Sequence, residues 1–297
     1  MQFLETLKII LLAIVEGITE WLPVSSTGHM ILVNYFLPLT HVSEAFVDMF
    51  EYVIQLAAIL AVVVIFWKKI FPFRLEKQAE TQLDEESMSK PKYKLNTDMG
   101  IIKLWLKVVL ACVPAVLALL VDELFEGLSP LVESLIIACA LILYGVVFLL
   151  IESFHKKDPK VKEISELSYK YAFFIGCFQV LASIPGTSRS GITIIGALLL
   201  GVSRPAATEF TFFLAIPTMV GASAYKLLKF FLDAGSISGA EIGYLAVGSV
   251  VAFVVSLFAI RFLMDFVKKH DFKLFGWYRI ALGVIVIAAL VIPPLVA

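Results

Sequence analysis

The chain has 297 residues, 60% hydrophobic and 16% charged, with a formal net charge of −1 and a mean hydropathy of +0.93. A soluble globular domain carries about a quarter charged residues, so this composition excludes an ordinary water-soluble protein; the basic residues sit in loops and not along one face, and no nucleic-acid partner is expected. The composition predicts an all-α polytopic membrane protein.

Residues 3–15 are apolar but fall short of the ~20 residues that cross a bilayer as a helix. The polar stretch Glu16-Gly-Ile-Thr-Glu-Trp-Leu-Pro-Val-Ser-Ser-Thr-Gly-His29 then interrupts them, and 30–37 resume the apolar character. No small-residue cleavage site precedes Glu16, so the segment reads as retained and not as a removed signal. A short helix, a polar break and a second short helix predict a re-entrant hairpin over 1–37. Irregular backbone at membrane depth needs protein or a wet cavity around it.

A full span is expected at 46–67. Residues 68–100 form a charged loop with Asp84-Glu85-Glu86 and with Lys90 and Lys92; it reads as partly disordered and carries no assigned chemistry. Spans follow at 101–121 and 134–151, around an acidic turn with Asp122, Glu123 and Glu126. Residues 152–170 are a second charged loop. Residues 171–184 are again apolar and short, and Pro185-Gly-Thr-Ser-Arg-Ser-Gly191 breaks them before 192–201 resume. This predicts a second re-entrant hairpin over 171–203. Spans at 209–225, 243–263 and 279–296 complete the chain. Cys112, Cys139 and Cys177 lie in apolar spans without a CxxC pair and read as small core residues.

The plan of residues 1–151 recurs in 152–297. Glu16, Glu20, Pro23, Ser25, Ser26 and Gly28 parallel Gln179, Ser183, Pro185, Ser188, Ser190 and Gly191, with one-residue offsets. Glu51, Leu56 and Ala57 parallel Glu209, Leu214 and Ala215. Interrupted apolar segments at matching places in two halves point to a site at the bilayer midplane. Each half has one re-entrant hairpin and three spans. Three is odd, so the second half is expected to be inverted. Loop 68–100 holds seven Lys/Arg, loop 152–170 five, and 264–278 carries Lys268, Lys269 and Lys273. All fall on one side, which the positive-inside rule makes cytoplasmic. Loops 38–45 and 122–133 contain no Lys or Arg and face outward with both termini.

Ionisable groups at membrane depth are costly and are functional candidates by default. Glu16 and Glu20 are four apart, which places both carboxylates on one helical face. Such a pair can share a proton, hold a divalent cation through hard oxygens, or supply a general base. Ser25, Ser26 and Thr27 can cap a helix or present a nucleophile and donors to an anion. His29, three residues after Ser26, is placed to activate a weak nucleophile. In the second stretch Arg189 brings a planar fork suited to phosphate. Its neighbours Gly186, Ser188, Ser190 and Thr193 supply close backbone approach and hydroxyls, at the start of a helix whose positive end attracts anions. Arg189 can also neutralise Glu16 or Glu20. Two acids, a histidine, hydroxyls and an arginine suggest phosphoryl transfer, and a substrate at a buried membrane site suggests a lipid phosphate.

The two polar stretches, with Ser203-Arg-Pro-Ala-Ala-Thr-Glu-Phe-Thr-Phe-Phe-Leu-Ala-Ile-Pro217, resemble the undecaprenyl-diphosphate phosphatases of the bacitracin-resistance protein family over nearly the whole chain. The resemblance implies an enzyme that removes the terminal phosphate from a C55 polyprenyl diphosphate and so recycles the carrier lipid for peptidoglycan. It implies a multi-pass protein of the bacterial inner membrane with an outward-facing site, a need for Mg²⁺ or Ca²⁺, and bacitracin resistance. On this match Ser26, His29, Glu20 and Arg189 are catalytic, and Glu16 and Glu20 hold the metal. Ser25, Thr27, Gly186, Ser188, Ser190 and Thr193 bind the substrate. Ser26 and His29 both remain open as the attacking group. The expected partners are the polyprenyl substrate, membrane lipid and a second copy in a homodimer. The vanadate-type lipid phosphatases fit poorly: their Ser-Arg-x5-His pattern would require a histidine at Ile195. A lipid flippase or transporter with a midplane polar site is the alternative.

Overall fold

A computed structural model describes residues 2–77, 93–118, 121, 123–125, 127–154, 158–233 and 237–293. Asp84, Glu85, Glu86, Lys90 and Lys92 of the long charged loop, and Asp122 and Glu126 of the acidic turn, lie outside the described residues. So do the last residues of the span expected to end at 296.

The chain is helical almost throughout. The helices are α1 (Gln2–Thr19), α2 (Ser26–Phe36), α3 (Glu44–Ile65), α4 (Met99–Cys112), α5 (Pro130–Phe154), α6 (Tyr169–Gln179), α7 (Arg189–Leu199), α8 (Arg204–Asp233), α9 (Gly239–Val267) and α10 (Lys273–Val286). Strands β1 (Phe73–Lys77) and β2 (Tyr93–Thr97) pair antiparallel, Phe73 opposite Thr97, at the base of the loop that the sequence left without regular structure. Serine or aspartate marks most helix starts. Ser43 accepts the Phe46 amide, Asp98 the Gly100 and Ile101 amides, and Ser168 the Tyr171 amide. Each cap satisfies a donor that the first helical turn leaves free.

Among the described residues, five helical segments are long and apolar enough to cross a membrane: Met99–Leu117, Pro130–Phe154, Arg204–Leu232, Gly239–Val267 and Lys273–Val291. Helix α3, 22 residues long, contributes the further apolar stretch Met49–Ile65 among the described residues. Large apolar side chains cover the outside, among them Phe3, Leu60, Leu106, Phe258, Phe262 and Trp277. In water such a surface would associate; against lipid chains it is the expected exterior. The protein is a multi-pass membrane protein.

Packing brings the two polar breaks to the centre. Helix α3 packs on α8 and α9, α1 on α9, α4 on α6 and α8, and α5 along α10. The α5–α10 seam is backbone against backbone. A Cβ on Gly145 would lie 2.8 Å from the Gly276 carbonyl, and one on Gly276 2.9 Å from the Gly145 carbonyl. Small residues permit this approach where lipid supplies no hydrophobic drive between helices. The short helices α2 and α7 both contact α5, and α2 also contacts α10. Trp21, fully buried and edge-on to Phe212 at 5.4 Å, anchors the first break in the main apolar core.

Candidate active site

Both polar stretches fold as a helix, a non-helical break and a second helix. Helix α1 ends at Thr19, and the Glu20 amide still bonds to the Glu16 carbonyl at 3.0 Å. Glu16 and Glu20 therefore share a face, as their spacing requires. Pro23 stands in the break, and the chain restarts at Ser26. The N-cap of α2 is Ser25 at φ 72°, and the N-cap of α7 is Ser188 at φ 70°. They are the non-glycine residues with positive φ among the described residues. A left-handed backbone costs a residue with a Cβ roughly 1–2 kcal/mol. Each serine recovers part of this by capping: Ser25 Oγ accepts the Gly28 amide at 3.3 Å, and Ser188 Oγ the Gly191 amide at 3.2 Å. Gly186, at φ 85°, presses on α5, where a Cβ would lie 2.7 Å from the Ile137 backbone. Only glycine fits there.

The two breaks meet. Arg189 Nη2 donates to Glu20 Oε1 at 2.7 Å. Ser26 Oγ donates to the other oxygen, Glu20 Oε2, at 3.0 Å. One carboxylate thus joins a hydroxyl from the first break to a guanidinium from the second. Ser190 Oγ donates to the Glu20 carbonyl at 3.2 Å, tying the second break to the backbone of the first. The proton of Ser190 is then used, so at the 3.2 Å Ser188–Ser190 contact Ser188 is the donor. Thr193 is buried; its hydroxyl bonds to the Arg189 carbonyl at 2.9 Å and to Thr211 Oγ1 at 3.0 Å. The hydroxyls of Ser188, Ser190 and Thr193 are therefore engaged within the protein. Ser25 is fully buried, and Thr27 is exposed.

His29 does not bond to Ser26. Its Nδ1 lies 2.7 Å from the Ser25 carbonyl and its Nε2 2.7 Å from the Tyr278 hydroxyl. A carbonyl only accepts, so Nδ1 carries the proton, and in the neutral ring Nε2 accepts from Tyr278. The two rings also stack, with centroids 5.6 Å apart.

Trp21 Nε1 and Thr187 Oγ1 in the two breaks lack a hydrogen-bond partner, and so do two atoms of charged groups there, Glu16 Oε1 and Arg189 Nη1. A buried orphan of this kind is costly, and together they describe what a guest must supply: something cationic for the acid, something anionic for the arginine. Glu16 also bonds to the Gln55 side chain and interacts with Glu20 and Glu51, while Glu51 Oε1 accepts from Asn34 at 3.4 Å. Among the described residues no group of three or more His, Cys, Asp or Glu side chains stands close enough to hold a metal ion; the carboxylate oxygens of Glu16, Glu20 and Glu51 are of the hard type that Mg²⁺ or Ca²⁺ takes.

Gln55, Glu51, Tyr278 and Arg279 were not singled out as site residues from the sequence. Glu51 was visible as an acid in an apolar run, and Arg279 as a lone charge at the start of one. Tyr278 and Gln55 gave no signal, because neither residue type is unusual in a membrane helix.

The family model described as "Bacitracin resistance protein BacA" matches residues 9–285. A relative from Enterococcus faecalis is 54% identical over 289 residues, covering 97% of this chain and 98% of that protein. One from Streptococcus thermophilus is 52% identical over 287 residues, covering 96% and 93%. One from Desulfitobacterium hafniense is 51% identical over 290 residues, covering 97% and 96%. Each of these three relatives is named "Undecaprenyl-diphosphatase".

Proposed function

The chain belongs to the bacitracin resistance protein BacA family, and from that premise we propose that it acts as an undecaprenyl-diphosphate phosphatase. It hydrolyses the terminal phosphate of the membrane-borne diphosphate, returns the monophosphate carrier to peptidoglycan synthesis, and confers bacitracin resistance. The observation that carries this reading is the Ser26–Glu20–Arg189 chain with Arg189 Nη1 left free.

The steps follow from that chain. The terminal phosphate takes the free Nη1 of Arg189, the first residue of α7. Ser26 Oγ gives its proton to Glu20 Oε2 and attacks the terminal phosphorus. The bond from phosphorus to the bridging oxygen breaks, and undecaprenyl phosphate leaves. Water then cleaves the Ser26 phosphoester and releases inorganic phosphate. Ser26 is preferred to His29 as the attacking group because both imidazole nitrogens are already bonded. His29 instead braces the first turn of α2 through Ser25. Glu16 and Glu20 would hold a divalent cation, which would supply neutralisation of the diphosphate charge.

The finer architecture belongs to the same reading. The chain is an inverted repeat of 1–151 and 152–297, with six spans and two re-entrant hairpins, α1–α2 and α6–α7. Ser25 and Ser188 support it by sharing one unusual conformation and one capping role. The pairings α1–α9 and α6–α4, and α3–α9 and α8–α4, exchange under the same operation. Basic loops face the cytoplasm, and the site opens to the outer side of the inner membrane.

Purified protein is expected to release phosphate from undecaprenyl diphosphate in detergent, to stop on chelation, and to recover with Mg²⁺ or Ca²⁺. Ser26→Ala should lower kcat by at least about 100-fold, the scale of removing an activated group. Wild-type protein that releases no phosphate overturns the activity. Full turnover by Ser26→Ala overturns the assigned nucleophile, and turnover unaffected by chelator overturns the metal.

A further inference from the structure

Arg279 is a fully buried charged residue that takes no part in the proposed chemistry. It sits in α10 with no exposed surface. Nη1 donates to the Pro23 carbonyl at 3.3 Å, and Nη2 to the Gly186 and Thr187 carbonyls at 3.0 and 2.9 Å. Nε has no partner. The guanidinium lies over the Tyr144 ring, 5.9 Å from its centroid. Among the described residues no carboxylate pairs with it.

Taking an unpaired guanidinium out of water is expensive, and a well-packed apolar side chain in its place is often as stable or more so. Burial of this cost asks for a return other than packing. The identity of its acceptors supplies one. Pro23 lies two residues before Ser25; Gly186 and Thr187 lie immediately before Ser188. Those serines hold the positive-φ backbones that start α2 and α7. A single planar cation from a third helix therefore grips both breaks just upstream of their strained turns. One hydroxyl and one guanidinium from separate parts of the chain must share the two oxygens of Glu20, and this grip fixes the distance between them.

We propose that Arg279 is a positioning residue, a cross-clamp that holds the two phosphate-handling loops in register so that Ser26 and Arg189 meet on Glu20. The proposal rests on the phosphatase reading for its catalytic consequence but not for its mechanical one. Arg279 touches no reacting atom. It acts through the backbone of residues 23–25 and 186–188, and Tyr278, next to it on α10, braces His29 by the same route.

The test uses full-length protein in detergent, comparing wild type with Arg279→Lys, Arg279→Gln and Gly191→Ala. A Cβ on Gly191 would stand 3.3 Å from Arg279 Nη1 and 3.3 Å from Ser188 Oγ, so this variant presses the clamp without removing it and protects the test against misfolding of the others. Two readouts are taken: hydrogen–deuterium exchange over 20–29 and 184–191, and kcat and KM for phosphate release from undecaprenyl diphosphate. Arg279→Gln should speed exchange in both loops together while α3 and α9 stay protected, and should lower kcat at least tenfold with KM changed less than threefold. Arg279→Lys, which keeps the charge but not the fork, should recover part of both. Exchange unchanged in both loops, or loosened in only one, overturns the clamp. Loosened loops with wild-type kcat overturn its catalytic consequence. If wild type releases no phosphate, the phosphatase reading fails, while coupled loosening of the two loops still supports the clamp.

Discussion

Ser25 and Ser188 carry the most informative backbone angles in the molecule. A serine forced to φ near 70° is strained, and its side-chain cap offsets that strain. Alanine at either position keeps the strain and loses the cap, so Ser25→Ala and Ser188→Ala should each destabilise by about 1 kcal/mol. Glycine relieves the strain and forgoes only a few tenths of a kcal/mol of capping. Thermal melting in detergent should therefore place alanine below both wild type and glycine, with those two close together because glycine's chain entropy offsets the strain it relieves; an alanine variant more stable than the glycine variant contradicts this account. The same residues clarify the sequence. The sequence parallel needs one-residue offsets at Pro23–Pro185 and Ser26–Ser190, while Glu16–Gln179, Glu20–Ser183, Ser25–Ser188 and Gly28–Gly191 share one spacing. Keeping the register of the two strained caps throughout removes those offsets: Pro23 falls on Gly186 and Ser26 on Arg189. Conformation, which no residue letter records, decides the register.

Apolar runs predicted helices wherever they were long, and the breaks at Glu16–His29 and Pro185–Gly191 fell where proline, glycine and clustered polar residues stop a helix. Helix ends moved most. Helix α8 runs Arg204–Asp233 where 209–225 was expected, because Arg204 is not solvent-bound but paired. Its guanidinium forks onto Glu152, with Nε 2.9 Å from Oε1 and Nη2 on Oε2, and Oε1 also accepts the Phe272 amide at 3.0 Å. Glu152 thereby ties the end of α5 to the starts of α8 and α10. Removing one partner of a buried pair costs several kcal/mol. With Arg204 partly exposed, Glu152→Ala should lose about 3 kcal/mol, near the lower end of that range, seen as a lower melting temperature and poorer yield. Because Arg204 and the Phe272 amide, which Glu152 holds, are not among the residues assigned to chemistry, kcat per folded molecule should stay at the wild-type value; a large fall would show that the basic-loop end of the bundle shapes the site.

At the scale of the whole molecule the orientation in the membrane rests on charge. The basic loops lie at 68–100, 152–170 and 264–278, and the segment 38–45 carries none. In a cysteine-free background, His41→Cys should react with a membrane-impermeant maleimide on intact cells, and Lys160→Cys only after permeabilisation. The opposite pattern would reverse the orientation and place the site on the cytoplasmic side. The 38–45 loop is tied down by buried acids. Glu5 Oε1 accepts the Thr40 and His41 amides at 2.7 and 3.2 Å, and Glu241 Oε1 accepts the Ser43 amide at 3.2 Å. The label at position 41 therefore reports on an ordered segment.

Composition and apolar run length determined the class of this protein, since ~20 apolar residues have one stable use. The polar interruptions marked the candidate residues Glu20, Ser26, His29 and Arg189, because polar and ionisable groups in a bilayer are functional candidates by default. Their partners were beyond reach of any linear reading. That Ser26 lies on Glu20 and not on His29, that Tyr278 occupies the histidine, and that Arg279 grips both breaks are consequences of α10 packing backbone to backbone on α5 and of two helix starts meeting across the bundle. Spacing in sequence fixes distances within one helix; distances between helices are set by which side chains are small enough to let them close.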